Sequence, residues 1–214
     1  MPIRRPGCDA AHSVVRSLPL LAIAGCGWLV GCGGPGRVEV PDMSPEAVAA
    51  CLLQQYDKDQ SGELSADECV ACPALAASLS RYDTNRDGSL SGDEIQTRLA
   101  AMLASRVGRM PCQITVYLGG RLLAGASVEL IPEECLRDAV SPAAAATNDK
   151  GVAKPVTVGA PPGLPGAQFG LYRIAITHPE LPLPSRYNSE TELGMELSPL
   201  ERESDKAEFH LKTK

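Results

Sequence analysis

The sequence is poor in the residues that usually carry catalysis. It has three histidines and one tryptophan in 214 residues. It lacks a G-x-S-x-G turn, a phosphate loop and an H-E-x-x-H helix, so acyl transfer, phosphoryl transfer and zinc hydrolysis have no visible machinery. His178 precedes Pro179 in a loop, and His210 alternates outward in a strand; both read as surface residues. Basic clusters are absent too. The formal net charge is −6, with no Lys/Arg-rich stretch, which excludes a nucleic-acid partner because phosphate binding needs a positive footprint. Beyond the N-terminal region no apolar run approaches the roughly 18 residues that a span needs, which excludes a polytopic membrane protein. What remains is a chain of ordinary globular composition, 44% hydrophobic and 21% charged, long enough for one large domain or two small ones.

The N-terminus reads as an address. Arg4, Arg5 and Arg16 precede the apolar stretch Leu18–Gly31, the order of an export signal. Leu29-Val30-Gly31-Cys32 resembles a bacterial lipobox, and the resemblance implies that Cys32 is acylated after removal of residues 1–31. Ile23-Ala24-Gly25-Cys26 fits the same pattern, but cleavage there shortens the apolar region and leaves Trp28 on the mature chain. Acyl chains gain about 0.8 kcal/mol per buried CH₂, so several hold a soluble domain at a bilayer. Loss of residues 1–31 lowers 20 basic and 26 acidic residues to 17 and 25, and removes the tryptophan. Residues 32–43, rich in glycine and proline, read as a tether.

Two acidic twelve-residue runs follow. Residues 57–68 place Asp57, Asp59 and Ser61 at positions one, three and five; residues 83–94 place Asp83, Asn85 and Asp87 there. Position six is Gly62 or Gly88, for a sharp bend. Position seven offers the carbonyl of Glu63 or Ser89. Position nine, Ser65 or Ser91, acts through a water, and position twelve is Glu68 or Glu94, long enough to give both oxygens. Alternation of this kind turns six or more oxygens toward one centre, as calcium requires; magnesium is the competitor, but two large flexible oxygen cages favour calcium. Both runs match the EF-hand loop, which implies two Ca²⁺ sites. Loop one, with neutral Ser61 at position five, is expected to be the weaker. Leu64 and Leu90 at position eight are the residues through which paired loops touch.

The flanks support helices. Ser44-Pro45-Glu46 is a helix start, and Val48, Leu52 and Tyr56 form one apolar stripe. Tyr56 and Tyr82 each precede a loop. Ile95, Leu99 and Met102 continue a helix that Gly108 can end. The loops begin only 26 residues apart and Pro73 interrupts the space between them, so a short exit turn and one helix, 74–82, are expected. The arrangement resembles compact EF-hand pairs of secreted bacterial proteins, and loosely dockerin modules. It has little room to open, which favours structural over sensing use of calcium.

From Pro111 the period changes to two. Ile114/Val116/Leu118, Ala126/Val128/Leu130, Tyr172/Ile174/Ile176, Leu193/Met195/Leu197 and Ala207/Phe209/Leu211 each alternate with polar or small residues. Residues 142–150 and 159–168 read as long loops. The pattern predicts an antiparallel β-sandwich, transthyretin-like or Ig-like, after an all-α pair: α+β in two domains, 44–109 and 111–214. Gly120–Val128, Thr147-Asn148-Asp149-Lys150-Gly151 and Gly170-Leu171-Tyr172-Arg173-Ile174 resemble the hairpin, turn and later strand of carboxypeptidase regulatory-like domains. Leu181–Tyr187, Leu193 and Phe209 resemble a variant common in small bacterial lipoproteins. That resemblance, over roughly 112–212, implies a non-catalytic module.

Five cysteines remain after Cys8, Cys26 and the acylated Cys32. Cys112 beginning one strand and Cys135 following the next predict a bond across a hairpin. Cys51 with Cys69 or Cys72 predicts a second, stapling the first helix to the turn after loop one. Cys69-Val70-Ala71-Cys72 lacks both a redox fold context and a second pair for zinc. The reading is an exported protein, lipid-anchored to the bacterial cell envelope, which binds calcium and is not an enzyme. Its partners are the membrane through the anchor and a candidate envelope protein. Two rivals stay open: a calcium-dependent docking module, and an enzyme or small-ligand carrier using the sandwich loops.

Overall fold

The computed structural model describes residues 39–161, 163–201 and 205–213. The expected signal 1–31, Cys26, Cys32 and most of the 32–43 tether lie outside these residues. Among the described residues no helix is long and apolar enough to cross a membrane.

Helix α1 (Pro45–Tyr56) starts as expected. The Ser44 hydroxyl accepts from the Ala47 N–H at 3.3 Å, and Pro45 fills a position whose N–H has no helical partner. It buries Val48, Ala49, Leu52 and Tyr56. Ser44→Ala removes the cap and should cost about 1 kcal/mol in urea unfolding, with the m-value unchanged. Strand β1 (Glu63–Ser65), the single turn α2 (Ala66–Cys69), α3 (Pro73–Tyr82), β2 (Ser89–Ser91) and α4 (Gly92–Ala104) complete the helical segment. The expected exit turn and helix are both present, and Pro73 starts the helix. Gly108 does not end α4. The helix stops four residues earlier, where Ser105 Oγ donates to the Met102 carbonyl and accepts from the Val107 N–H. Arg106 takes the left-handed turn at φ 55°.

Among the described residues nine strands follow: β3 (Gln113–Leu118), β4 (Arg121–Leu122), β5 (Ser127–Pro132), β6 (Ala143–Ala146), β7 (Val152–Ala153), β8 (Val156–Thr157), β9 (Gly170–Thr177), β10 (Gly194–Leu197) and β11 (Lys206–Leu211). They form a five-stranded antiparallel sheet, β10-β9-β5-β6-β8, and a second sheet, β11-β3-β4, with β7 also on β3. Two expectations are corrected. The 142–150 segment is not all loop: Ala143–Ala146 pairs with β5 and β8. Four alanines carry no strand signal of their own, and their neighbours' hydrogen bonds decide. The second sheet is not wholly antiparallel, since β11 runs parallel to β3. The chain enters it from β10, in the other sheet.

The alternation is faithful where one face meets the core. Ile114 and Val116 of β3 are buried with Val128 and Leu130 of β5 and Ile174 and Ile176 of β9. It fails in β9, where Leu171 and Ala175 are buried beside Tyr172, Ile174 and Ile176, and in β10, where all four residues are buried. The helical segment covers its second face. At Gly194 the approach is so close that a Cβ would collide with the Pro73 carbonyl carbon and the Ala74 nitrogen. Helices and sheets accordingly belong to one compact unit, Arg37–Lys214.

The disulfide joins Cys51 of α1 to Cys135 of the 3₁₀ turn Glu134–Leu136, with Cα atoms 5.9 Å apart across 84 residues. This corrects both expected pairings. β3 and β5 lie in different sheets, so no hairpin brings Cys112 to Cys135. Cys51 faces the sheet segment instead of the turn after loop one. Cys69, Cys72 and Cys112 are free and buried.

Candidate metal centre

Each loop begins where a helix stops. Asp57 caps α1 and Asp83 caps α3, their N–H groups still donating to Leu53 and Leu79. The chain then bends through Gln60 and Gly62, at φ 59° and 88°, and through Arg86 and Gly88, at 63° and 90°. Glycine adopts such angles freely, whereas glutamine and arginine lose about 1–2 kcal/mol there. The bend is held by the loop's own carboxylates. Gly62 N–H donates to Asp57 Oδ2 at 2.9 Å, and Gly88 N–H to Asp83 Oδ2 at 3.0 Å. Ser61 N–H donates to both Asp57 Oδ1 and Asp59 Oδ1. In loop two Arg86, Asp87 and Ser89 donate to Asp83, Asn85 and Asp87. These bonds tie Asp57 and Asp59 of loop one, and Asp83, Asn85 and Asp87 of loop two, to the backbone of their own loop.

Glu63 and Ser89 then open β1 and β2, which pair antiparallel with Leu64 opposite Leu90. Both leucines are fully buried, so position eight makes its expected contact. Ser65 and Ser91 have a role the loop pattern did not assign: each caps the next helix in a reciprocal capping box with Glu68 or Glu94.

The two glutamates close the loops. Glu68 Oε1 accepts from the N–H groups of Lys58 at 2.7 Å and Asp59 at 3.3 Å, while Oε2 accepts from Ser65 N–H and hydroxyl. Glu94 repeats this with Thr84, Asn85 and Ser91. For Glu68 the Ser65 and Lys58 hydrogen bonds pull the carboxyl down to about 2. Burial opposes them at Glu94, but bonds from Ser91 and Thr84 prevail and it too falls to about 2. Both stay ionised at neutral pH.

In loop one, Asp57, Asp59 and Glu68 each present an oxygen within 4.8 Å of the others. Among the described residues loop two gives no such cluster: Asp83, Asp87 and Glu94 do not bring three oxygens this close, and at the third position the Asn85 Nδ2 donates to Asp87 Oδ2 at 2.7 Å. The donor set is carboxylate, amide, hydroxyl and carbonyl oxygen throughout. Such a set suits a hard divalent cation and not one that prefers thiolate or imidazole. The neighbouring C-x-x-C does not alter this. Burial pushes the Cys69 thiol up to about 11 and raises Cys72 further, so both stay protonated. His178 is engaged with the Ala124 carbonyl and the Glu180 and Leu181 N–H groups, and His210 stacks on Tyr117.

Sequence reasoning missed the charges beneath the loops. Glu196 of β10 has a side chain with no exposure, held by Arg98 of α4 through Nε at 2.7 Å and Nη2 at 2.6 Å. Arg81 of α3 adds a contact at 3.3 Å. Glu133, equally buried, is held by Arg173 at 2.9 Å. Arg173 also donates to the Tyr56 hydroxyl and the Ala71 carbonyl, on either side of loop one. Strand alternation marks Glu196 and Arg173 as pointing away from the inter-sheet core, but nothing local tells that helices cover that face.

The family described as EF hand matches residues 48–68 and 75–100, which hold the two helix–loop–helix runs. The match implies calcium binding. Among curated proteins and solved structures nothing matches.

Proposed function

We propose that this is an exported, lipid-anchored calcium-binding protein of the bacterial envelope, in which two ions stabilise an EF-hand pair fused to an interaction or spacer module. The observation that carries the reading is the repeated loop: two runs with the same carboxylate-held bend at glycine, the same closing glutamate and a shared leucine contact. Asp57, Asp59, Ser61, Glu68 and the Glu63 carbonyl would hold one Ca²⁺. Asp83, Asn85, Asp87, Glu94 and the Ser89 carbonyl would hold the other. When bound, the ion neutralises clustered carboxylates; the chain's part is to orient them. Interlocked helices and sheet favour constant structural binding over a groove-opening switch.

The two sheets, with their shared core, fit a carboxypeptidase regulatory-like sandwich over 111–214, following an EF-hand module over 44–109. The turn at Asn148–Gly151, where Asn148 Oδ1 accepts from Lys150 and Val152, supports that resemblance. The absent nucleophile, phosphate and zinc motifs favour a non-catalytic role. The signal and lipobox pattern favours the envelope, with the membrane as partner through the anchor and a second envelope protein docked on the module.

Isothermal titration of the mature, non-acylated chain tests the metal reading. Two calcium ions per chain are expected. Glu68→Gln and Glu94→Gln should each abolish one site, since each removes the ligand able to give two oxygens. An unchanged stoichiometry in both variants overturns the ligand assignment. Radiolabelled palmitate incorporation, lost in Cys32→Ser, tests the anchor.

A further inference from the structure

Loop two lies between Arg81, two residues before Asp83, and Arg98, four residues after Glu94. Positions one and twelve of the loop meet at one centre only if α3 and α4 keep a fixed angle. Both arginines converge on a single buried carboxylate, Glu196, which belongs to neither helix and lies about a hundred residues downstream. Arg98 further donates to the Arg81 carbonyl at 3.2 Å and stacks over the Tyr82 ring at 5.1 Å. Glu201 accepts from the outer face of Arg98. The helices entering and leaving the loop are thereby tied to β10 and to each other.

We infer that Glu196 is a positioning residue for the second calcium site: from the sheet, it fixes the helices that present Asp83 and Glu94. The inference rests on the two-site reading above. It adds that the affinity of loop two is set partly outside the EF-hand sequence. Preorganisation raises affinity because less ordering remains to be done on binding. A buried, doubly held carboxylate is a strong anchor, since its removal takes the buried counter-charge from both guanidinium groups and leaves Arg98 to the more exposed Glu201. Loop one has its own tie, through Arg173, and does not touch Glu196, so it serves as an internal reference.

The test is calcium titration of the ¹⁵N-labelled mature chain, following the Gly62 and Gly88 amides. Each is bonded to the first carboxylate of its own loop and so reports that loop alone. In the wild-type chain both should shift; a silent Gly88 removes the two-site reading and this inference with it. In Glu196→Gln the Gly88 midpoint should rise at least fivefold, the lower end of ordinary coupling between sites, with a smaller change at Gly62. A merely structural role predicts equal changes at both amides, and either that outcome or an unchanged Gly88 overturns the inference. If Glu196→Gln does not fold, Arg81→Gln carries the same comparison, because the Arg81 side chain is 35% exposed and its loss leaves the Arg98 pair in place.

Discussion

Chelation should lower the melting temperature of the mature chain by on the order of 10 to 20 °C relative to millimolar calcium, in a single transition. A ligand that binds only the native state stabilises it by RT ln(1 + [L]/Kd), about 2.7 kcal/mol per site at a hundredfold excess over Kd. Two sites give roughly 5 kcal/mol, and a chain of this size shifts by about 2–4 °C per kcal/mol. The single transition is the more demanding half. If the loops stabilised only the helical segment, calcium would move one transition and leave a second, belonging to the sheets, in place. The shared core, the Glu196 clamp and the Cys51–Cys135 bond argue that both segments unfold together. Differential scanning calorimetry, with far-ultraviolet circular dichroism reporting helix and strand, separates the cases. Two resolved transitions, or a melting temperature indifferent to chelator, would refute the account.

The loops were legible because calcium geometry is local. Twelve consecutive residues contain the bend, the donors and the closing carboxylate, so spacing alone places them. The first helix start was legible for the same reason, since Ser44 sits where an exposed N–H needs an acceptor; the caps at Ser65 and Ser91 were hidden by their reading as ninth loop positions. Strands that face the inter-sheet core show period two and were found. The features that were missed depend on residues far apart in the chain. Ala143–Ala146 becomes a strand only because β5 and β8 lie on either side. β10 is buried on both faces because α3 rests on it, and Gly194 permits the contact. Glu196 then becomes a buried charge whose partners are 98 and 115 positions away. The disulfide failed for a related reason. A hairpin between the first two strong strands is the simplest connection, yet the chain crosses to the other sheet between them.

That crossing makes the disulfide the second large term. Replacing Cys51 and Cys135 together by serine should cost roughly 4 to 5 kcal/mol, the chain-entropy value for a link of this span. The link closes 84 residues, from α1, through both loops and β3, to the turn after β5. Without it the unfolded chain regains the freedom of that whole segment, while the native contacts of α1 with α4 and the 134–136 turn persist. The loss should appear in calcium and in chelator alike, since the bond lies away from the loop oxygens, and distant effects add to within about 0.5 kcal/mol. Thiol reduction of the wild-type chain should reproduce it. Tyrosine signals serve as the probe, because the tryptophan departs with the expected signal. Non-reducing peptide mapping decides the connectivity independently: a Cys51–Cys135 peptide is expected, with Cys69, Cys72 and Cys112 alkylated only after unfolding. Recovery of Cys112 bonded to Cys135, or of Cys51 bonded to Cys69 or Cys72, would remove the covalent tie between loop-bearing helix and sheet, and with it the expected loss.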